Sequence, residues 1–197
     1  MNDRDKAETT YDIIKKWADF NGNVQAISGI TGLGVNLAVD ALAIVWYRDM
    51  WSEIRGVYGK GHITKDTVYT FIRTNLEYIA KDIFFDKLVG TIPLLGIPFN
   101  YAYGKALTWR LGVLFGITAA AAEHPSPETM SQIIDLVRML FPSKDIYVRK
   151  VLSFSFKEPD RDRFLRLLEA ASDRTDNQLM RSAEDALAAW EKSRLRE

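Results

Sequence analysis

Hydrophobic and polar positions alternate with helical spacing along most of the chain. In "YDIIKKWADF", residues 11–20, apolar side chains recur every three or four positions, which predicts a short amphipathic helix that ends near the "NGN" of residues 21–23. In the following run, "AISGITGLGVNLAVDALAIVWYRDMWSEIRGV", three glycines and two hydroxyl residues form a loose or close-packed entry to a long predicted helix. The helix ends at the glycine cluster of Gly56, Gly59 and Gly61.

The centre of the chain predicts a helical hairpin with an apolar turn. Thr64 occupies the N-cap position of the first helix, whose apolar stripe consists of Val68, Phe71, Ile72, Leu76, Ile79, Ile83 and Phe84. Pro93 and Pro98 interrupt the helical pattern, because proline lacks an amide donor and disfavours helix in the residue before it. A second helix resumes near Phe99 and continues through "TWRLGVLFGITAAAA", residues 108–122.

From His124 onward the pattern is that of ordinary amphipathic helices. Ser126 as cap and Pro127 at the first helical position predict one helix, which ends before Pro142. The segment "SKDIYVRKVLSFSF" allows a helix or a short strand, and we predict a helix. Two more helices are expected to open at Pro159 and at either Asp173 or Asp176.

These patterns predict an all-α fold of seven or eight helices. We expect a helical bundle with a central apolar helical hairpin and a C-terminal amphipathic helical extension. Residues 1–123 would form an apolar helical domain, and residues 124–197 an amphipathic region packed against it.

Composition narrows the classes of function. Lys plus Arg equals Asp plus Glu, at 26 each, so no overall field attracts nucleic acid, and no nucleic-acid partner is expected. The absence of cysteine excludes disulfides and thiolate chemistry. The polar start "MNDRDKAETT" does not resemble a secretory signal, which favours a cytoplasmic location.

No residue pattern points to catalysis, a metal or a cofactor. The glycine-rich "GITGLGVN" and "RGVYGKGH" lack the spacing of a phosphate-binding loop. His62 and His124 lie beside glycine or proline, away from carboxylates at ligand spacing. Asp82 and Asp86 could form a metal or acid–base pair, but the lysines beside them favour a solvated, salt-bridged helix face. We therefore expect no cofactor and no enzyme.

Two segments are almost apolar enough to cross a membrane, which takes about twenty residues. Residues 26–46 carry Asp40, and residues 102–122 carry Arg110 near the middle, where a charge is costly in lipid. We favour central helices of a bundle, in which Asp40 pairs with Lys105 or Arg110. An integral membrane protein with a broken-helix hairpin and a cytoplasmic helical domain is the alternative.

Two blocks of the sequence carry a set of motifs. In the first, an apolar run leads into a Tyr-Gly helix end, and in the second, an Ile-Pro-x-x-Gly turn comes before a helix with a Thr-x-x-Leu-Gly ending. The residues of these motifs are Asp40, Met50, Tyr58, Gly59, Ile92, Pro93, Gly96, Asn100, Ala106, Thr108, Leu111 and Gly112. With this set, residues 25–116 resemble a bacterial helical domain of unknown function. The resemblance does not extend to the GTPase domain that accompanies such domains.

That family occurs behind small GTPase domains and in an inner-membrane protein of enteric bacteria. The resemblance implies a non-enzymatic interaction or regulatory module that acts with a partner protein, such as a separate GTPase. A position on the inner face of the membrane and a homo-oligomer are both compatible with it. Physically, Gly59 suits a helix C-cap, Pro93 and Gly96 suit a compact turn, and Asn100 suits a cap of the second helix.

Overall fold

The computed structural model describes residues 1–31, 33–80, 96–141, 146–150 and 153–194. It describes the backbone alone within 27–43, 76–80, 96–99, 138–139, 146–150 and 153–155 and at 194. These residues form seven helices and one antiparallel β-hairpin. The helices are α1 (Asp3–Thr31), α2 (Leu33–Val57), α3 (Lys65–Ala80), α4 (Gly96–Ala120), α5 (Pro127–Leu140), α6 (Arg161–Ala171) and α7 (Asp176–Arg194). The strands are β1 (Ile146–Lys150) and β2 (Ser153–Phe156).

The predicted all-α bundle is confirmed, and α4 lies at its centre. Helices α1, α2, α3, α5 and α6 all pack against α4. Every residue from Thr108 to Ala121 is buried, including Arg110. A helix with neighbours on all sides is apolar all round, which explains why this segment looks like a membrane span in the sequence.

Helix α1 is longer than predicted, because it continues through Asn21 and Gly22 instead of ending there. Both residues lie against α4. Asn21 is buried, and a Cβ on Gly22 would come within 2.8 Å of Lys105 Cγ. Asparagine and glycine weaken an isolated helix, and their presence suggests a turn of the chain. In the structure they lie within the helix because they pack against α4.

The helix starts follow their capping residues. Thr64 Oγ1 accepts the amide of Thr67 at 3.2 Å, and Ser126 Oγ accepts the amide of Thr129 at 3.2 Å, as predicted. The prediction that Pro159 opens α6 is wrong by two residues, since Asp160 is the N-cap and accepts the amide of Arg163. Of the two proposed starts for the last helix, the structure selects Asp176.

The start of α4 differs from the prediction. The helix begins at Gly96, so Pro98 lies within its first turn instead of interrupting the chain. A first-turn proline costs little, because the amides there have no acceptor within the helix. Asn100 lies in the second turn and cannot be the N-cap. The turn of the predicted hairpin, with Ile92 and Pro93, lies outside the described residues.

The helix predicted for "SKDIYVRKVLSFSF" is wrong, because this segment forms the β-hairpin. Ile146 pairs with Phe156 and Val148 with Phe154, with a register irregularity between Val148 and Lys150. Alternating Ser and Phe have the period of two that places phenylalanines on one face of a strand. The partly buried Phe156 packs against the core, 6.3 Å from the ring of Phe141.

The core is continuous between residues 1–123 and the segments that follow. Phe164 of α6 lies 5.2 Å from the Tyr11 ring and 6.1 Å from the Trp109 ring, with edge-on geometry in both pairs. Trp51 and Phe115 stack in parallel at 4.3 Å between α2 and α4. The described C-terminal elements thus share one hydrophobic cluster with α1, α2 and α4.

Candidate functional site

Small residues line the face of α4 that meets α1. They recur every fourth position as Gly104, Thr108, Gly112 and Gly116. A Cβ on Gly112 would lie 2.6 Å from Ile14 Cγ2, and one on Gly104 would lie 2.9 Å from Gln25 Cγ. Positions four apart form a ridge on a helix, so this stripe is the groove that receives α1. The Thr-x-x-Leu-Gly ending of the motif is therefore part of a helix-packing surface.

A buried hydrogen-bonded pair fixes the register of α1 on α4. Asn21 Nδ2 donates to Thr108 Oγ1 at 3.0 Å, and Thr108 Oγ1 donates to the carbonyl of Gly104 at 2.7 Å. Thr108 has no exposed surface, and Asn21 is almost fully buried. Buried polar groups without partners are costly, so sliding the helices past each other is disfavoured.

Replacing Thr108 with valine is expected to destabilise the protein by about 1–2 kcal/mol, because the shape is kept while Asn21 Nδ2 loses its acceptor. Urea unfolding would measure this. The double variant Asn21→Leu/Thr108→Val should recover most of the loss, because it leaves no unpaired amide. A double variant that is as unstable as the sum of the single variants would contradict this account.

The sequence is apolar where α1 ends and where α2 and α4 begin. Helix α1 ends at Thr31, α2 begins at Leu33, and the N-terminal half of α4 packs on the C-terminal half of α1, where Gly22 meets Tyr101 and Gly104 meets Gln25. Residues 24–47 contain Asp40 as their single Asp, Glu, Lys or Arg, and residues 96–104 contain none. We call this end, formed by the end of α1 and the beginnings of α2 and α4, the apolar end.

Three aromatic side chains meet near the middle of α1 and α2, about 16–21 Å along these helices from the apolar end. Trp17 and Phe20 meet edge to face at 5.8 Å, and Phe20 and Trp46 do so at 5.3 Å. Phe20 is 44% exposed, although large apolar side chains are usually buried. We call Trp17, Phe20 and Trp46 the aromatic ledge.

Glu53 of α2 holds one end of the aromatic ledge in place. Its carboxylate accepts Trp17 Nε1 at 2.9 Å and Lys16 Nζ at 2.6 Å. The indole N–H is thus satisfied, and Lys16 Nζ also lies over the Trp17 ring, 5.6 Å from its centroid. This arrangement combines a fixed aromatic body, a polar edge and an adjacent cation, a combination typical of side chains at a membrane–water interface.

Lys105 joins three parts of the fold. Its side chain is only 12% exposed, and Nζ lies 2.7 Å from Asp19 Oδ1 of α1 and 3.2 Å from Glu158 Oε1, which precedes α6. Lys15 also binds Glu158, at 2.9 Å. Burial by itself lowers the pKa of Lys105, but the hydrogen bonds that its ammonium group donates to Asp19 and Glu158 outweigh burial and raise the pKa. The proposed pairing with Asp40 concerns a side chain outside the described residues.

The opposite end of the bundle is polar. Lys60 Nζ donates to the carbonyl of Ala121, and the amide of Asp173 donates to the carbonyl of Ala120 at 2.9 Å, which completes the C-terminus of α4. The Asp176 carboxylate accepts the amide of Ser126 at 2.9 Å, and this hydrogen bond lowers the pKa of Asp176. These contacts tie the loops of this end together.

The structure gives several motif residues a packing role. Gly59 has φ +69°, as the predicted C-cap of α2 requires, and the amide of Lys60 closes the turn onto the carbonyl of Arg55 at 2.9 Å. Burial raises the pKa of Tyr58 to about 12. Arg110 lies over the Phe141 ring at 5.7 Å, in cation–π geometry.

The candidate catalytic pair, Asp82 and Asp86, lies outside the described residues, as do Ile92 and Pro93. His62 and His124 are both exposed, and burial of its ring lowers the pKa of His124. Within the described ranges, no three His, Asp or Glu side chains are grouped as a metal site would require. Also within those ranges, no helix is long and apolar enough to cross a membrane.

The aromatic ledge is the feature that sequence reasoning missed. Phe20 and Trp17 were assigned to a buried stripe, because their spacing fits the apolar face of an amphipathic helix. The available signal was that Trp46 stands at the border between a long apolar run and the polar "YRDMWSE". Aromatic residues at such a border suit a bilayer interface, but the contact between Trp46 and α1 depends on the fold.

Comparisons of the chain with protein-family models, with curated proteins and with solved structures give no match. The resemblance to a GTPase-associated helical domain therefore stays a prediction.

Proposed function

We propose that the protein is a non-enzymatic interaction module that docks on the cytoplasmic face of the inner membrane through its apolar end and presents its polar end to a partner protein. The observation that carries the proposal is the aromatic ledge near the middle of α1 and α2, with Phe20 44% exposed. The side of α1 and α2 that carries the aromatic ledge would enter the lipid interface together with the apolar end.

The distribution of charge along the bundle supports a defined orientation. In the sequence, residues 24–47 carry Asp40 as their single formal charge, and residues 96–104, at the beginning of α4, carry none. The polar end carries Arg55, Lys60 and Asp173. Peripheral proteins bind lipid by burying apolar area at the headgroup boundary and by attracting anionic lipid with nearby cations, a role that Lys16 could fill.

The polar end would then be free for a protein partner in the cytoplasm. The resemblance described above makes a separately encoded small GTPase the first partner to test. We propose no catalytic role for this chain, and its contribution would be to position the partner at the membrane. Pull-down of that GTPase by vesicle-bound protein, compared with protein in free solution, would measure the effect of the surface.

Replacing Phe20 with glutamate is expected to weaken binding to vesicles of phosphatidylethanolamine and phosphatidylglycerol by about tenfold or more. An apolar ring of this size contributes roughly 1.5–3 kcal/mol when it leaves water, and a carboxylate is repelled by anionic lipid. Vesicle flotation over a range of lipid concentrations would measure the change.

Tyr69→Glu is the matched control, because Tyr69 is 51% exposed and lies near the start of α3, away from the aromatic ledge. It should float like the wild-type protein. If Phe20→Glu and wild type float equally, or if neither binds vesicles, the membrane proposal fails. The integral alternative predicts that protein in cell membranes resists extraction by alkaline carbonate, whereas the peripheral proposal predicts release.

A further inference from the structure

A cleft opens between α3 and the start of α5, and the proposed function does not use it. Its volume is about 720 Å³, within the range of small-molecule sites. The floor is apolar and consists of the buried side chains of Phe71, Met130 and Ile134. The cleft shares no residue with the aromatic ledge.

The rim on α3 is a row of oxygen atoms. Asp66, Thr70 and Thr74 are spaced four residues apart, so their side chains follow one another along the same face of the helix. All three are exposed and line the cleft. A carboxylate and two hydroxyls offer acceptors to a ligand that donates hydrogen bonds.

The charge of the lining favours a cation. Among the lining residues of the described ranges, neither lysine nor arginine occurs, and Asp66 is the single acidic side chain. His124 stands on the opposite rim, where partial burial together with Arg55 and Lys60 lowers its pKa. The hydroxyls of the lining can donate to an anion as well as accept from a cation, so Asp66 is the group that selects the charge of the ligand.

We propose that the cleft between α3 and α5 is a binding site for a small organic amine whose flat apolar body lies on Phe71 and Met130 and whose ammonium group meets Asp66. The apolar floor supplies most of the affinity, and Asp66 selects the charge. This proposal does not depend on membrane docking.

The methionine methyl groups make the proposal testable. In protein labelled with ¹³C at the methionine methyls, phenethylamine should shift the Met130 resonance in a saturable manner, with a dissociation constant of about 1 mM for a fragment of this size. Met50, which is fully buried in the core away from the lining, should not move. Phenylacetate, which has the same ring and the opposite charge, should shift Met130 much less.

Two variants separate the charge from the cavity. Asp66→Asn should weaken phenethylamine binding by about fivefold, as expected for an exposed ion pair, and should leave phenylacetate unchanged or slightly improved. Thr70→Trp should fill the cleft, so neither phenethylamine nor phenylacetate should shift the Met130 resonance. An unchanged Met50 resonance shows that the variant is folded. An unmoved Met130 resonance in the wild type, or equal binding of amine and carboxylate, overturns the proposal.

Discussion

Replacing Gly112 with alanine is expected to lower the free energy of unfolding by about 2 kcal/mol. Overpacking costs roughly 1–3 kcal/mol, and the higher helix propensity of alanine offsets up to about 1 kcal/mol of that cost. The new Cβ would lie 2.6 Å from Ile14 Cγ2 and 2.7 Å from Ile14 Cγ1. Ile14 has no exposed surface, and its branched Cβ restricts its rotamers, so it cannot move aside.

The clash can be relieved from the other side. Ile14→Ala alone should cost about 3 kcal/mol through the cavity that it leaves. In the double variant Ile14→Ala/Gly112→Ala the new methyl enters that cavity, so the total loss should be smaller than the sum by about 1–2 kcal/mol. Urea unfolding of the four proteins gives this coupling directly. A coupling of zero would mean that the two side chains do not meet.

Gly56→Ala is the control for helix propensity. Gly56 lies in α2, and a Cβ there would meet nothing within 4 Å. The same substitution should therefore stabilise the protein by about 0.5–1 kcal/mol. If alanine raises the free energy of unfolding at Gly56 and lowers it at Gly112, packing against α1 decides the outcome at Gly112. A lower free energy of unfolding in both variants would point to a common backbone effect instead.

Local signals in the sequence predict the helix starts well, because the capping side chains act within one turn. The caps at Thr64 and Ser126 and the helix end at Gly59 could be predicted from neighbouring residues alone. The central position of α4 could also be predicted, since a segment that is apolar all round must be covered on all sides. These predictions depend on short-range chemistry or on bulk hydrophobicity.

The predictions that failed depend on long-range contacts. Asn21 and Gly22 have the composition of a turn, but their contacts with Thr108 and Lys105 are more than eighty residues away in sequence. The hairpin at Ile146–Phe156 was ambiguous because a short apolar run fits both periods. The aromatic ledge needs α1 and α2 to lie side by side, and the cleft needs α3 and α5. No local pattern contains that information.

Replacing Lys105 with methionine is expected to destabilise the protein by about 2 kcal/mol. Breaking a buried ion pair costs roughly 3–5 kcal/mol, and the value here is reduced because Asp19 is partly exposed and Glu158 keeps Lys15. The methionine preserves the apolar stem beside Gly22. For a chain of this length, the midpoint of thermal unfolding should fall by about 4–8 °C, measured by circular dichroism.

Lys16→Met is the matched control. Lys16 Nζ also pairs with a carboxylate, because it lies within reach of both oxygens of Glu53, but its side chain is 59% exposed. It should cost at most about 1 kcal/mol. Equal losses in the two variants would contradict a special role for Lys105.

The pH dependence gives an independent test of the Lys105 ion pairs. The pKa of Lys105 is raised in the folded protein. Its contribution to the free energy of unfolding is therefore complete at a pH below the ordinary lysine pKa, and it is lost as the pH rises through the pKa of the folded state. The stability difference between wild type and Lys105→Met should thus be constant near neutral pH and shrink above about pH 10.5. Ionisation of Tyr11 and Tyr58 occurs in both proteins and cancels in the difference. A difference that persists unchanged at high pH would contradict the assignment of this stabilisation to the charge of Lys105.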